Sequence, residues 1–294
     1  MKLYAPSYYK NFKCIADRCE HSCCIGWEID IDEVTLEKYK KQKHGYAITV
    51  LESISMDETP HFILGKGERC PHLDERGLCR IITNMSEEHL CDICREHPRF
   101  YNYTSVAEVG LGMSCGEAAR LILSSPDYNV FEEIGKVDVE DDGIDFDGVA
   151  ARGEIYRILQ DKSRSYIKRL ESIYDDYRID VGEESDWIES LNVLEYLDED
   201  HRVLFKNYSS SLRPNGADEY LERFFAYLLY RHTTEAVDYE DFCARLGFCL
   251  FCERLLASLI VSERAESLFD VARLASIISE EIEYSDENTE ALIL

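Results

Sequence analysis

The stretch that decides the fold runs from residue 14 to residue 24 and reads CIADRCEHSCC. Its four thiols belong to Cys14, Cys19, Cys23 and Cys24. Neighbouring thiolates repel one another unless a cation neutralises them. A short loop costs little entropy to close, so that thiolates this close in sequence can converge on one metal. The stretch therefore predicts a segment that folds around an inorganic centre.

A second group of cysteines follows further along the chain, namely Cys70, Cys79, Cys91 and Cys94, with Cys115 at a distance. The first residues of the chain lack the apolar run and the cleavage site of a signal peptide, so we expect a cytoplasmic protein. Disulfides are rare in that reducing compartment. The density of cysteines therefore indicates metal or cluster binding rather than disulfide pairing.

The cysteine spacing favours an iron–sulfur cluster over zinc and leaves both open. Structural zinc usually takes paired Cys-x-x-Cys knuckles. Within the two groups, only Cys91 and Cys94 have that spacing. The adjacent Cys23 and Cys24 are awkward ligands for one tetrahedral zinc ion, but they suit a larger cluster, or one ligand with a supporting thiol.

Composition narrows the classes of partner. No apolar run approaches the roughly 20 residues that span a bilayer, so no membrane association is expected. The chain of 294 residues has a net charge of −27, of which −23 lies beyond residue 120. Such a surface repels nucleic-acid phosphates and attracts a basic partner, such as a protein with exposed lysines. A solvated helical surface explains the same charge.

Hydrophobic periodicity predicts helices beyond the cysteines. Apolar residues at helical spacing follow one face over residues 155–174, 221–232 and 271–282. Residues 242–260 are apolar nearly all round, as in a central core helix. We therefore predict a mainly α protein with an all-α helical bundle in its second part.

Local signals also predict two helix starts and a division into domains. Asp32 opens a short helix, and Ser114 is an N-cap with Glu117 three residues later. The cysteine distribution and an acidic stretch predict an irregular, cysteine-rich metal-binding domain over residues 1–126. An acidic connection over residues 127–148 and a helical domain over residues 149–294 complete the prediction.

Several residues that could be taken for functional residues are better explained by a structural role. Gly110 and Gly112 superficially resemble a glycine-rich nucleotide loop, but no alternating βαβ pattern follows, and we expect turn residues. His72 flanks a cysteine, and we expect it to support the ligands. His232 is predicted to be a hydrogen-bonded core histidine. Cys249 and its neighbours in the apolar helix are interpreted as small hydrophobic residues.

Four blocks in order resemble the flagellin lysine-N-methylase (FliB-like) family, which is related to the CxxCxxCC family of zinc- or iron-chelating proteins. The blocks are residues 12–27, 70–79, 94–99 and 114–121, and the helical residues 227–232 also match. The first cysteine group is more widely spaced than CxxCxxCC. That departure is typical of the methylase branch.

The resemblance implies a protein lysine N-methyltransferase that transfers methyl from S-adenosylmethionine to lysine side chains, with flagellin as the substrate. It also implies a cluster of the 4Fe–4S type, with zinc as the alternative. The implied ligand pool is Cys14, Cys19, Cys23, Cys24, Cys70, Cys79, Cys94 and Cys115. Cys91 is an additional candidate, although Cys94 is the residue that matches the family's last Cys-Arg-x-x-Pro block.

The catalytic residues and the cofactor pocket are not identified by these patterns. A non-enzymatic iron–sulfur or redox protein would use the same cysteines, and so would a zinc-stabilised scaffold. Binding of S-adenosylmethionine separates the enzyme from these alternatives.

Overall fold

The computed structural model describes residues 1–19, 22–42, 45–57, 59–139, 143–180 and 182–293. Its strands are β1 (Lys2–Pro6), β2 (Ile54–Ser55), β3 (His61–Phe62), β4 (Arg99–Tyr103), β5 (Ala107–Leu111) and β6 (Phe131–Lys136). Its α-helices are α1 (Glu33–Lys41), α2 (Tyr46–Glu52), α3 (Arg80–Asn84), α4 (Asp92–Glu96), α5 (Gly116–Ser124), α6 (Gly148–Gln160), α7 (Tyr166–Tyr177), α8 (Glu184–Val193), α9 (Glu199–Phe205), α10 (Asp218–His232), α11 (Tyr239–Ser262), α12 (Leu268–Ile278) and α13 (Asp286–Leu292).

The chain divides into two compact units. Residues 13–98 form the cysteine-rich unit, and residues 1–12 with 99–294 form the larger unit. The predicted boundary at residue 126 does not coincide with this division. β1 pairs with β5 and β6, so the first residues and the segment after residue 98 belong to one sheet.

The cysteine-rich unit combines α1 and α2 with a short antiparallel ribbon. β2 pairs with β3, and the segment around Ile29 pairs with the other edge of β3 through the N–H of Phe62, which donates to the Ile29 carbonyl at 3.1 Å. The apolar side chains of these elements form a small core of their own: Ile29, Ile31, Leu36, Tyr39, Val50, Ile54, Phe62, Leu73 and Ile81.

The larger unit contains a four-stranded mixed sheet in the order β4-β5-β1-β6. β1 runs parallel to β5 and antiparallel to β6, and β4 is antiparallel to β5. β5 is buried along its whole length, including Glu108, whose carboxylate is paired with the buried Arg152 at 2.7 Å. β6 forms an exposed edge that carries charged side chains, which discourage pairing with another chain.

α11 is the central helix of the larger unit. Its side chains from Phe248 to Cys252 are all buried, and α10 and α12 pack against it. Cys249 and Cys252 lie in this core as small apolar side chains, as expected. α12 also packs against α5, which follows the buried strand β5.

The prediction of a mainly helical protein is confirmed in its coarse form, since roughly half of the chain is helical. Within the described residues from 149 onward, every element of secondary structure is helical, as predicted for the second part. β6 lies inside the stretch that was predicted to be an acidic connection, because its residues pair with β1. Residues 140–142 of that stretch lie outside the described residues.

The individual helices agree with the periodicity at several places and correct it at two. α1 starts after Asp32, whose side chain accepts the N–H of Thr35 at 2.8 Å. The long helix predicted over residues 155–174 is two helices, α6 and α7, because Ser165 caps a new helix start. α5 begins one residue later than predicted, with Cys115 rather than Ser114 at its N-cap. None of the helices within the described ranges has the length and apolarity required to cross a bilayer.

Candidate metal centre

Backbone hydrogen bonds join the two cysteine groups within the cysteine-rich unit. The N–H of Cys70 donates to the carbonyl of Cys24 at 2.8 Å, and the N–H of Gly26 donates to the carbonyl of Glu68 at 3.1 Å. Gly26 has a φ of 84°, a conformation that glycine adopts without steric cost. The turn at Gly26 thereby aligns the segment that carries Cys24 with the segment that carries Cys70.

The loop between Cys70 and Cys79 is closed around Asp74. The Asp74 carboxylate accepts the N–H groups of Leu78 and Arg76, each at 2.9 Å, and these contacts hold its pKa below the usual range. An isolated bridge joins Leu73 to Cys79. The folded loop therefore returns the chain to Cys79 close to where it left Cys70.

Cys79 and Cys91 occupy equivalent local positions, since each is the N-cap residue of a short helix, α3 and α4 respectively. The first N–H groups of a helix have no partner within it. Burial raises the pKa of Cys79, and the N–H groups of Ile82 and Ile81 partly oppose this; contact with the Cys94 side chain lowers the pKa of Cys91, and the N–H of Cys94 adds to it. The helix starts thus face two of the sulfurs with hydrogen-bond donors.

α1 holds the segment that carries Cys91. The second carboxylate oxygen of Asp32 accepts the N–H of Asp92 at 3.0 Å, and the Tyr39 hydroxyl donates to the carbonyl of His89 at 2.5 Å. Burial raises the pKa of Tyr39, and the charges of Cys91 and Cys94 raise it further. The sequence places Tyr39 on the apolar face of a predicted helix but does not predict its hydrogen bond to His89.

Five cysteines lie in or against the core of the cysteine-rich unit: Cys70 and Cys91 are buried in it, and Cys24, Cys79 and Cys94 pack against it. All five are free thiols. Their ionisations affect one another, because the charge on each thiolate raises the pKa of its neighbours. The residues come from three separate stretches of the chain, and the fold brings them to one place.

The five thiols cannot all ionise without a cation. Contact between Cys91 and Cys94 lowers the pKa of Cys91 and raises that of Cys94, since one S–H group stabilises the other thiolate. Burial raises the pKa of Cys70 to about 12. Contact with Cys23 instead lowers the pKa of Cys24 to about 7. Metal ligands must be thiolates, so a bound cation would release the remaining protons.

The spacing of the sulfurs bears on the kind of metal. Among the described residues, no three cysteine sulfurs lie within 4.8 Å of one another. Tetrahedral zinc with bonds of about 2.3 Å would hold its sulfurs about 3.8 Å apart. A multi-iron cluster separates its thiolates more widely, because each binds a different iron. Zinc and an iron–sulfur cluster therefore require different distances between the sulfurs of their ligands.

The four remaining candidate ligands are placed differently. Cys14 is exposed, and Cys19 is half-buried at the end of a 3-10 turn. Cys23 is exposed beside Cys24. Cys115 belongs to the larger unit, where it packs against the apolar core.

His72 lies in the loop that follows Cys70, one of the five clustered cysteines. Its Nδ1 atom lies 2.9 Å from the Tyr46 hydroxyl, and its Nε2 atom lies 2.9 Å from the Ser53 hydroxyl. The ring also packs edge-on against Phe62, with ring centres 4.8 Å apart. Burial lowers the pKa of His72 to about 4, so the ring is neutral. Both ring nitrogens are engaged in these two contacts, and a role of His72 in supporting the metal ligands stays a prediction.

A buried polar network in the larger unit contains His232, which confirms the prediction of a hydrogen-bonded core histidine, although its partners were not predicted. Glu283 lies in a π-helical turn, Ser279–Glu283, that continues α12. Its carboxylate accepts the Tyr227 hydroxyl at 2.9 Å and lies 2.6 Å from Nε2 of His232. Tyr227 in turn accepts the N–H of Met113 at 3.1 Å. The network thus holds the loop before α5, which ends at Cys115.

The glycines of that region have a packing role. Gly110 lies in β5 rather than in a turn, and a Cβ atom there would overlap with Phe100. A Cβ atom at Gly112 would overlap with the hydroxyl of Tyr284. The glycines make room for aromatic side chains. The parallel strands β1 and β5 are separated in sequence by the cysteine-rich unit and β4, unlike the single crossover helix that follows a nucleotide loop.

Comparison with known proteins gives relatives for part of the chain. A lysine-N-methylase of Salmonella choleraesuis (strain SC-B67) is 31% identical over 143 residues, which cover 44% of this chain and 34% of the relative. The lysine-N-methylase of Salmonella typhimurium matches to the same extent. The chain is similar to lysine-N-methylases. The flagellar biosynthetic protein FliU of Salmonella muenchen is 29% identical over 133 residues, covering 42% of this chain and 77% of the relative.

These relatives confirm the resemblance to the lysine-N-methylase family. The match spans about a third of the length of the two lysine-N-methylases. No protein-family profile matches the chain, so the relation to the CxxCxxCC family stays a prediction. No solved structure matches it.

Proposed function

We propose that the chain methylates lysine side chains of a protein, with S-adenosylmethionine as methyl donor and an iron–sulfur cluster bound by its cysteines. The observation that carries the proposal is the placement of five cysteines in or against the core of the cysteine-rich unit, in a chain similar to lysine-N-methylases. The name of the FliU relative and the sequence resemblance suggest flagellin as the substrate.

The cysteines that would hold the cluster are Cys24, Cys70, Cys79, Cys91 and Cys94. Thiolate sulfur is the ligand that iron–sulfur clusters take. The group has one more thiol than the four that a cubane cluster needs, so one of the five would be a supporting thiol. When bound, the cluster would supply an electron-rich anchor that supports the fold or orients the methyl donor.

Methyl transfer places clear demands on the protein. The lysine nitrogen must lose its proton, because only the neutral amine has the lone pair that attacks the sulfonium methyl group. As the bond between nitrogen and the methyl carbon forms, the bond between that carbon and sulfur breaks with its electron pair on sulfur. The neutral thioether leaves, and the methylated nitrogen carries the positive charge. The acidic surface of the chain attracts cationic lysines, and a desolvated site would lower their pKa.

The test is methylation by the full chain, purified without oxygen. Iron and acid-labile sulfide are measured first, and S-adenosylmethionine and purified flagellin are then added. We expect bound iron and sulfide in similar amounts, and methylated lysines detected by mass spectrometry of the flagellin. Cys79→Ser should abolish both the bound iron and sulfide and the methylation of flagellin. Cys243→Ser changes a half-buried cysteine of the larger unit and should abolish neither the metal content nor the methylation. A loaded protein that leaves flagellin lysines unmodified would overturn the proposal.

A second candidate, a redox or metal-carrying protein, is favoured by one observation. The pKa of Cys91 is lowered by Cys94 in a Cys-x-x-Cys pair, an arrangement that also occurs in thiol redox proteins. Tight binding of S-adenosylmethionine by the anaerobic protein separates the two functions, because only the methyltransferase requires it.

A further inference from the structure

Three ligating side chains lie together on the solvent face of the small ribbon in the cysteine-rich unit. Asp30 and His61 are direct cross-strand partners in an antiparallel bridge. Glu28 precedes Asp30 by two residues in the same extended segment, and successive even positions of such a segment face the same side. The intervening Ile29 and the following Ile31 are buried on the opposite side.

The ligand atoms of Glu28, Asp30 and His61 all lie within 4.8 Å of one another. The distance from Nδ1 of His61 to the nearer Glu28 oxygen is 3.8 Å. Nδ1 also lies 2.8 Å from the carbonyl of Thr59, to which it donates its proton in the neutral ring. A histidine held in this way has an available lone pair on Nε2, and a backbone carbonyl is a usual second partner of metal-binding histidines.

The charges of this group are not balanced by the protein. No lysine or arginine within the described part of the chain forms an ion pair with Glu28 or Asp30. Both carboxylates are exposed, and a cation between them would reduce their mutual repulsion. The imidazole nitrogen distinguishes the group from an ordinary acidic surface patch, because it adds a ligand that prefers first-row transition metals.

We propose that Glu28, Asp30 and His61 bind a divalent first-row metal ion, separate from the thiol centre. Two carboxylates and one imidazole favour Mn²⁺, Fe²⁺ or Zn²⁺ and leave coordination positions for water. The ion joins the segment that follows Cys24 to β3. It therefore stiffens the ribbon that packs in the same core as the clustered cysteines.

The test is titration of the full chain with Mn²⁺, which thiolates bind weakly and oxygen ligands bind well. The free ion is followed by electron paramagnetic resonance, because its sharp signal disappears on binding. We expect one bound ion per chain, with affinity at least about tenfold weaker in Asp30→Asn and in His61→Gln. Glu33→Gln is the matched control, since Glu33 is an exposed carboxylate of the same unit, and it should bind like the wild type.

Two further measurements keep this result separate from the proposed function. Cys79→Ser should retain the Mn²⁺ ion, and Asp30→Asn should retain the iron of the thiol centre. Circular dichroism of His61→Gln and Asp30→Asn checks that both variants are folded. Unchanged affinity in both folded variants, or no saturable binding by the wild type at millimolar Mn²⁺, would overturn the assignment, whatever the outcome with flagellin.

Discussion

His232 and Glu283 form a hydrogen bond of 2.6 Å inside the larger unit, between the end of α10 and the π-helical turn after α12. Arg231 lies beside the same carboxylate, at 3.5 Å. Glu283 is fully buried, so its charge depends on these partners for compensation. A π-helical turn is an uncommon conformation that often marks a functional or strained place in a helix. The pair therefore holds the π-helical turn Ser279–Glu283 in place, and helical periodicity alone does not predict this turn.

Replacement of the Glu283 carboxylate should destabilise the larger unit. Glu283→Gln keeps the size of the side chain but leaves the buried Arg231 without its counter-charge. We expect a loss of about 2–4 kcal/mol in the free energy of unfolding, measured by urea denaturation. Glu290→Gln, at an exposed position of α13, is the control and should change it by less than about 0.5 kcal/mol. Equal stability of the two variants would show that the network contributes nothing.

The same pair predicts a dependence of stability on pH. Burial opposes ionisation of Glu283, but the charge of Arg231 and the hydrogen bond from His232 outweigh it and lower the pKa from 4.5 to about 2. Between these values the unfolded chain binds more protons than the folded one, so stability falls as the pH falls. The contribution of Glu283 is complete above pH 4.5 and amounts to about 3 kcal/mol.

Glu283→Gln reports this contribution directly, because glutamine resembles the protonated acid. The difference in unfolding free energy between wild type and variant should be largest above pH 4.5 and shrink towards pH 3. A difference that stays constant over this range would contradict the lowered pKa.

The cysteines should differ in their effect on metal content. Cys79→Ser and Cys94→Ser each remove a sulfur from the group of five, and we expect each to lose most of the bound iron and sulfide. Cys14→Ser changes an exposed thiol and tests whether the first cysteine is also a ligand. Iron and acid-labile sulfide per chain are measured on protein purified without oxygen. Full iron content in both Cys79→Ser and Cys94→Ser would exclude the group of five as the cluster site.

Removal of the metal should loosen the cysteine-rich unit and spare the larger one. The cysteine-rich unit has a small apolar core that includes cysteine side chains, whereas the larger unit buries an extended core around α11. A bound metal would add its binding free energy to the folding of the cysteine-rich unit. After chelation, amide hydrogen exchange should become faster in α1 and β3 and stay slow in α11. Unchanged exchange in α1 would show that the unit folds without metal.

The sequence was sufficient for the helices with strong local signals. Asp32 marks the start of α1 because its side chain caps the helix within a few residues. α11 is recognisable because nearly every position over residues 242–260 is apolar. Both features depend on neighbours in sequence, and such neighbours are visible without a structure.

The sheet and the choice among cysteines depend on distant parts of the chain. Leu3 of β1 pairs with Ala107 on one side and with Gly135 on the other. Strands this short carry little local signal, so pairing over that separation cannot be read from periodicity. The density of cysteines indicated a metal centre, but only the folded chain shows that Cys24 lies with the second group while Cys115 belongs to the other unit.

Gly110 offers a test of close packing in the sheet, with Gly135 as its matched control. A Cβ atom at Gly110 would overlap with the ring of Phe100 and would lie 2.9 Å from the ring of Tyr230, whereas a Cβ atom at Gly135 in β6 meets nothing within 4 Å. Gly110→Ala must therefore displace the partly buried ring of Phe100 and the buried ring of Tyr230, and we expect it to destabilise the protein by about 1–3 kcal/mol. Gly135→Ala should be neutral or slightly stabilising, because it only restricts the unfolded chain. Thermal unfolding of both variants measures the difference. Similar midpoints for the two alanine variants would mean that β5 and α10 can separate without cost, and the account of the buried strand would then be wrong.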